Sequence, residues 1–99
     1  MAKANVVWLP EALEDVARLH DFLAKTSEQA ARKAVDRIGY AARQLEGFPE
    51  MGQPMDDGVR RQVFIHFGAG AYVVRYRRDD LGRVVVIRVW HSRELREGS

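Results

Sequence analysis

Arg60, Arg75, Arg77, Arg88 and His91 are the side chains of this sequence best suited to act on a charged substrate. Cleaving a phosphodiester without a metal takes a base for the attacking 2′-hydroxyl, an acid for the leaving oxygen and cations against the developing phosphorane charge. Histidine and arginine supply parts of that, and Arg60, Arg75 and His91 are the set such chemistry would use. A simpler reading of His91 is a histidine at a strand end held by a structural hydrogen bond, and His20 and His66 read the same way. Tyr72 and Tyr76 read as core aromatics. Other chemistries lack their residues. The histidines are scattered without HExxH spacing, and zero cysteines exclude thiolate zinc sites, disulfides and cysteine nucleophiles together. Gly68-Ala69-Gly70 lies between two strands and precedes no helix, so it is no phosphate cradle. There is no GxSxG nucleophile turn. No metal and no cofactor is expected.

The elements that must hold these residues fit one domain, residues 1–99, with a core over 5–93 and a C-terminal tail over 92–99. A chain of 99 residues supports a single core. With 46% hydrophobic and 30% charged residues it is neither depleted enough for disorder nor apolar enough for a membrane protein. No apolar run is long enough to span a bilayer, and Pro10 and Glu11 end the N-terminal apolar stretch too early for a signal peptide. A cytoplasmic location is expected. Charge is uneven. Residues 1–58 hold seven Lys or Arg against ten Asp or Glu, whereas residues 59–99 hold nine cations against four acids. All nine are Arg, whose planar fork pairs with carboxylates and phosphates, so this half suits an anionic partner.

Asn5 to Trp8 reads as a first strand, and Pro10 opens a helix that keeps its period to about Lys25. Ala31, Ala34, Val35, Ile38, Ala41, Ala42 and Leu45 form the apolar stripe of a second helix, capped by Ser27 and stopped by Gly47 and Pro49. The short link around Thr26 makes the two an antiparallel hairpin. Glu50 to Gly58 reads as a loop. Strands over 58–67, 71–78 and 84–91 follow, joined by hairpins. Alternation puts Val63, Ile65, Phe67, Tyr72, Val74, Tyr76, Val85, Ile87 and Val89 against the helices. The other face then carries Arg60, Gln62, Phe64, His66, Val73, Arg75, Arg77, Val84, Val86, Arg88 and Trp90. A face that is apolar and rimmed by charge marks an interaction site. A terminal segment or the 50–58 loop folding over it is one alternative, and a one-residue register slip, which exchanges the faces, is another.

Several phrases along the chain are similar to the RelE/ParE superfamily of toxin–antitoxin toxins. They are Trp8-Leu9-Pro10-Glu11-Ala12 with Asp15, Ala30-Ala31, Leu45-Glu46-Gly47-Phe48-Pro49-Glu50-Met51-Gly52, Gly58-Val59-Arg60, the strand Tyr72 to Arg77, and Ile87-Arg88-Val89-Trp90-His91-Ser92-Arg93. The resemblance spans about residues 5–93. It implies an α+β fold, β-α-α-β-β-β, with the helical hairpin packed on a mainly antiparallel sheet. The ParE branch is closest, through Phe48 to Pro54 and Arg88 to Arg93. Resemblance to ParE implies a bacterial toxin that poisons DNA gyrase without catalysis of its own. It also implies a ParD-like antitoxin, which binds operator DNA through a ribbon-helix-helix part and lays a tail along the toxin in a hetero-oligomer. Arg60, Phe64, Arg75, Arg77, Val86, Arg88 and Trp90 are the residues expected to receive that tail. The RelE branch implies a different activity, ribosome-dependent mRNA cleavage, to which Arg60, Arg75 and His91 would be matched. Two departures count against it: Ser92 stands where ribonuclease members often place tyrosine, and Asp56 and Asp57 stand in a loop without lysines. A non-toxic binding module of the same fold is the third reading.

Overall fold

The computed structural model describes residues 5–94. The chain runs β1 (Val6–Trp8), α1 (Pro10–Ala24), α2 (Glu28–Gly47), β2 (Gln53–Pro54), β3 (Arg61–Phe67), β4 (Gly70–Arg78) and β5 (Val84–His91). The strands form one sheet in the order β1-β5-β4-β3-β2. Neighbours are antiparallel except β1, which lies parallel to β5 with Val6, Val7 and Trp8 opposite Val84, Val85 and Val86. This is the expected α+β arrangement of two helices on a sheet, with one addition. Two residues of the expected 50–58 loop form β2 against Arg61 and Gln62. Of the expected tail over 92–99, residues 95–99 lie outside the described residues. No helix among the described residues is long and apolar enough to cross a membrane.

Local chemistry sets the helix ends. Pro10 is the first residue of α1, where its missing N–H costs nothing. Ser27 caps α2 by accepting the N–H of Ala30 at 3.1 Å. The small residues Ala12, Ala31, Ala34, Ala41 and Ala42 are all buried, so the helices approach closely. Leu19, Ile38 and Leu45 then reach the sheet, where they meet Tyr72, Val74, Tyr76, Val84, Val86 and Val89.

On β5 the expected alternation fails. Arg75 is opposite Arg88, but the next residue, Tyr76, is opposite Val86, so Ile87 is an extra residue, a β-bulge. The bulge reverses which side chains face the helices on its N-terminal side. Val84 and Val86, expected on the outer face, are fully buried among the helix-side residues. Val85 stands opposite Arg77 instead of beneath the helices. Val86 is therefore a core residue and is removed from the antitoxin-facing set. Period-2 reading cannot foresee this, because the extra residue is as apolar as the three valines before it.

Tyr76 ties the 48–52 segment to the core: its hydroxyl accepts the N–H of Gly52 at 2.9 Å and donates to the carbonyl of Pro49 at 2.8 Å. A Cβ on Gly52 would lie 2.7 Å from that hydroxyl, so only glycine permits the approach. This anchorage positions β2 at the sheet edge.

Candidate functional site

Arg75 is the centre of the face turned away from the helices. It is only 6% exposed. Its Nε and Nη2 donate to Oε1 of Gln62, its cross-strand neighbour, at 3.2 and 2.8 Å, and its guanidinium carbon lies 4.7 Å from the ring centroid of Trp90. Val73 and Trp90, themselves cross-strand partners, are buried beside it. Phe64, opposite Val73 on β3, is 46% exposed, and Arg77 is half-buried. The face therefore has a fixed floor of Arg75, Val73 and Trp90, with Phe64 standing above it.

Arg88 belongs to a second arrangement at the free side of β5. Beyond Trp8 there is no β1 to pair with, and the side chain of Asp15 takes its place. The carboxylate accepts the N–H of Val89 at 2.9 Å and two bonds from Arg88, from Nε at 2.7 Å and from Nη2 at 3.0 Å. Arg18 adds a bond to Asp15 at 3.1 Å, reaches the Val89 carbonyl at 3.4 Å and pairs with Glu94. Glu94 in turn accepts the N–H of His91 at 2.8 Å. Asp15 is 4% exposed. Burial pushes its carboxyl up, but the bonds from Arg88, Val89 and Arg18 outweigh that and hold it below the ordinary carboxylate value. The same bond raises the Arg88 guanidinium further.

Arg60 immediately precedes β3, and its Nε meets Asp57 Oδ2 at 2.5 Å. The backbone N–H groups of Arg60 and Val59, together with that guanidinium, hold Asp57 down to about 2.

His91 lies on the helix side. Its ring stands edge-on to Tyr72 at 5.2 Å, its Nδ1 accepts the N–H of Arg93 at 3.1 Å, and it packs so tightly on Gly70 that a Cβ there would lie 2.6 Å from the ring. Tyr72 belongs to the helix-side core. Arg75 and His91 thus emerge from opposite faces of the sheet, and Arg60 is tied to its own loop. The structure gathers Arg75, Trp90 and Phe64, with Arg77 at their edge. It does not gather Arg60, Arg75 and His91.

Sequence reasoning does not single out Asp15, Gln62 or Glu94 as site residues. Asp15 carries a signal: with Ala12 and Leu19 it falls on the buried stripe of α1, and a carboxylate there needs a cation. Gln62 and Glu94 carry none.

Comparisons with known proteins agree with this fold. Residues 6–96 match the family model described as the ParE toxin of the type II toxin–antitoxin system parDE. Toxin RelE3 of Caulobacter vibrioides is 33% identical over 87 residues, covering 88% of this chain and 92% of that protein. Toxin RelE2 of the same organism is 33% identical over 92 residues, covering 93% and 99%. Among solved structures, the chromosomal ParDE toxin–antitoxin system of P. aeruginosa superposes with a TM-score of 0.71 at 17% identity, covering 88% of this chain and 94% of that one. The chain belongs to the ParE toxin family of type II toxin–antitoxin systems.

Proposed function

We propose that this protein is a gyrase-directed toxin, neutralised by a ParD-like antitoxin whose tail lies on the face of the sheet away from the helices. Arg60, Phe64, Arg75, Arg77, Arg88 and Trp90 receive the tail: Phe64 offers the apolar contact, and the arginines favour carboxylates. Operator DNA is reached through the antitoxin, and the two proteins form a hetero-oligomer in the cytoplasm.

The observation that carries the choice of target is the separation of Arg75 from His91 by the thickness of the sheet. A ribonuclease needs its cation and its acid or base within reach of one phosphate. Poisoning needs only a binding surface. The names of the Caulobacter relatives favour the second reading, ribosome-dependent RNA cleavage, in which Arg60 and Arg75 would hold the phosphate.

A supercoiling assay with purified gyrase, relaxed plasmid and ATP decides between them. Blocked supercoiling or trapped double-strand breaks, relieved by the antitoxin, are expected. Normal supercoiling in the presence of folded toxin, with mRNA cut on added ribosomes, would reverse the assignment.

A further inference from the structure

The two outer edges of the sheet are finished differently. At β5 the backbone beyond β1 is closed by side chains, since Asp15 and Arg18 take both the N–H and the carbonyl of Val89. Among the described residues, the outer side of β3 has strand partners only at Arg61 and Gln62, because β2 has two residues.

Four bonds establish which way the rest of β3 points. The Arg60 carbonyl accepts from Met55 on the β2 side, the His66 carbonyl accepts from Arg37 Nη1 at 2.6 Å, and Ala71 on β4 spends its N–H and carbonyl on Ser92, away from β3. By alternation the N–H and carbonyl of Phe64 and the N–H of His66 point outward. None of them has a partner among the described residues. Beside them runs a cleft of about 810 Å³ between α2 and β3, lined by Tyr40, Ala41, Met51, Val63, Phe64 and Ile65 among others. Tyr40 is 58% exposed. Open strand edge beside an apolar cleft is the geometry that accepts an added strand.

Charge selects the occupant. Arg37 and Arg43 line the cleft against the single acid Asp36. A second copy docked about a two-fold would bring these cations towards their own counterparts, whereas an acidic strand is complementary. We propose that an extended, acidic segment of the gyrase target adds to β3 at Phe64 and His66, seating an apolar side chain against Tyr40 and Met51. This rests on the gyrase reading above. Phe64 borders both this cleft and the antitoxin face, so the two partners compete for it, and neutralisation is steric.

His66→Pro and Tyr40→Glu test the assignment. Proline at 66 removes an outward N–H that the fold does not use, a substitution edge strands tolerate, and a carboxylate at position 40 would repel an acidic strand from an exposed helical site. Each variant is assayed for gyrase inhibition, antitoxin affinity and sedimentation. Expected are antitoxin affinity unchanged and at least a tenfold rise in the toxin concentration that inhibits gyrase. Undiminished inhibition by both variants while the wild type is active overturns the cleft assignment alone. An equal loss of antitoxin affinity, or a wild-type dimer that the variants dissociate, overturns it by giving the cleft to another occupant. A wild-type protein inert towards gyrase overturns the gyrase reading and the assignment with it.

Discussion

Arg75 and Arg88 stand directly opposite each other on β4 and β5, yet their guanidinium groups turn apart, Arg75 to Gln62 and Trp90, Arg88 to Asp15. Like charges opposite one another in a sheet repel. Here each is drawn to its own side. The divergence gives each arginine a different job, and the two should respond differently to substitution.

Asp15→Ala should destabilise the fold by about 2–3 kcal/mol, because it strands the Val89 N–H and leaves Arg88 and Arg18 without their shared carboxylate. Urea unfolding followed by tryptophan fluorescence measures this. An unchanged midpoint would show that the β5 edge does not depend on Asp15.

Acid should unfold the protein through depressed carboxylates. Asp15, Asp57 and Asp79 all lie below the ordinary value of 3.8, with Asp57 at about 2. A carboxyl lowered in the folded state stabilises above its unfolded value, and that contribution disappears as pH falls through the folded value. Melting temperature should therefore be flat from neutrality to about pH 5 and fall from about pH 4 towards pH 2. Asp15→Asn should flatten that decline, as thermal melts across the range would record.

Val86→Ala and Arg77→Ala should separate stability from binding. Val86 is core, so its truncation should cost about 1–3 kcal/mol with antitoxin affinity of the folded protein unchanged. Arg77, half-buried beside the outer face, should do the reverse, weakening antitoxin binding with a stability change within about 0.5 kcal/mol. Calorimetric titration alongside chemical denaturation reads both quantities.

Tyr76→Phe should loosen the 48–52 segment. Losing one hydroxyl leaves the Gly52 N–H and the Pro49 carbonyl unpaired, at a cost of about 1–3 kcal/mol. Faster amide exchange at Gly52 than in the wild type is the local signature to look for.

Much of this architecture is legible in the residues. The alanine stripe of α2, Pro10 and the Ser27 cap specify the helical hairpin, and the two turns among Gly68–Gly70 and Asp79–Gly82 specify a three-stranded meander. The resemblance to ParE is carried by phrases that the family match spans almost in full. What escapes reading depends on placement across the sheet. The bulge at Ile87 turns Val86 inward, and a run of four successive apolar residues holds nothing to reveal it. The pairing of β1 with β5 joins segments too far apart in sequence for any local signal, and with it comes the vacancy that Asp15 fills. Arg75, Phe64 and Trp90 share one face, as alternation predicts, because β3, β4 and the part of β5 beyond the bulge keep it.

Parallel pairing of β1 with β5 also constrains when the protein can fold during its own synthesis. β5 lies between β1 and β4, and it supplies Val84, Val86 and Val89 to the core. A growing chain that has emerged only as far as β4 has helices with no completed floor and a first strand with no neighbour. Its native state waits for the final described strand to leave the ribosome. For a toxin this delay is protective. Partial translation products lack the completed five-stranded sheet.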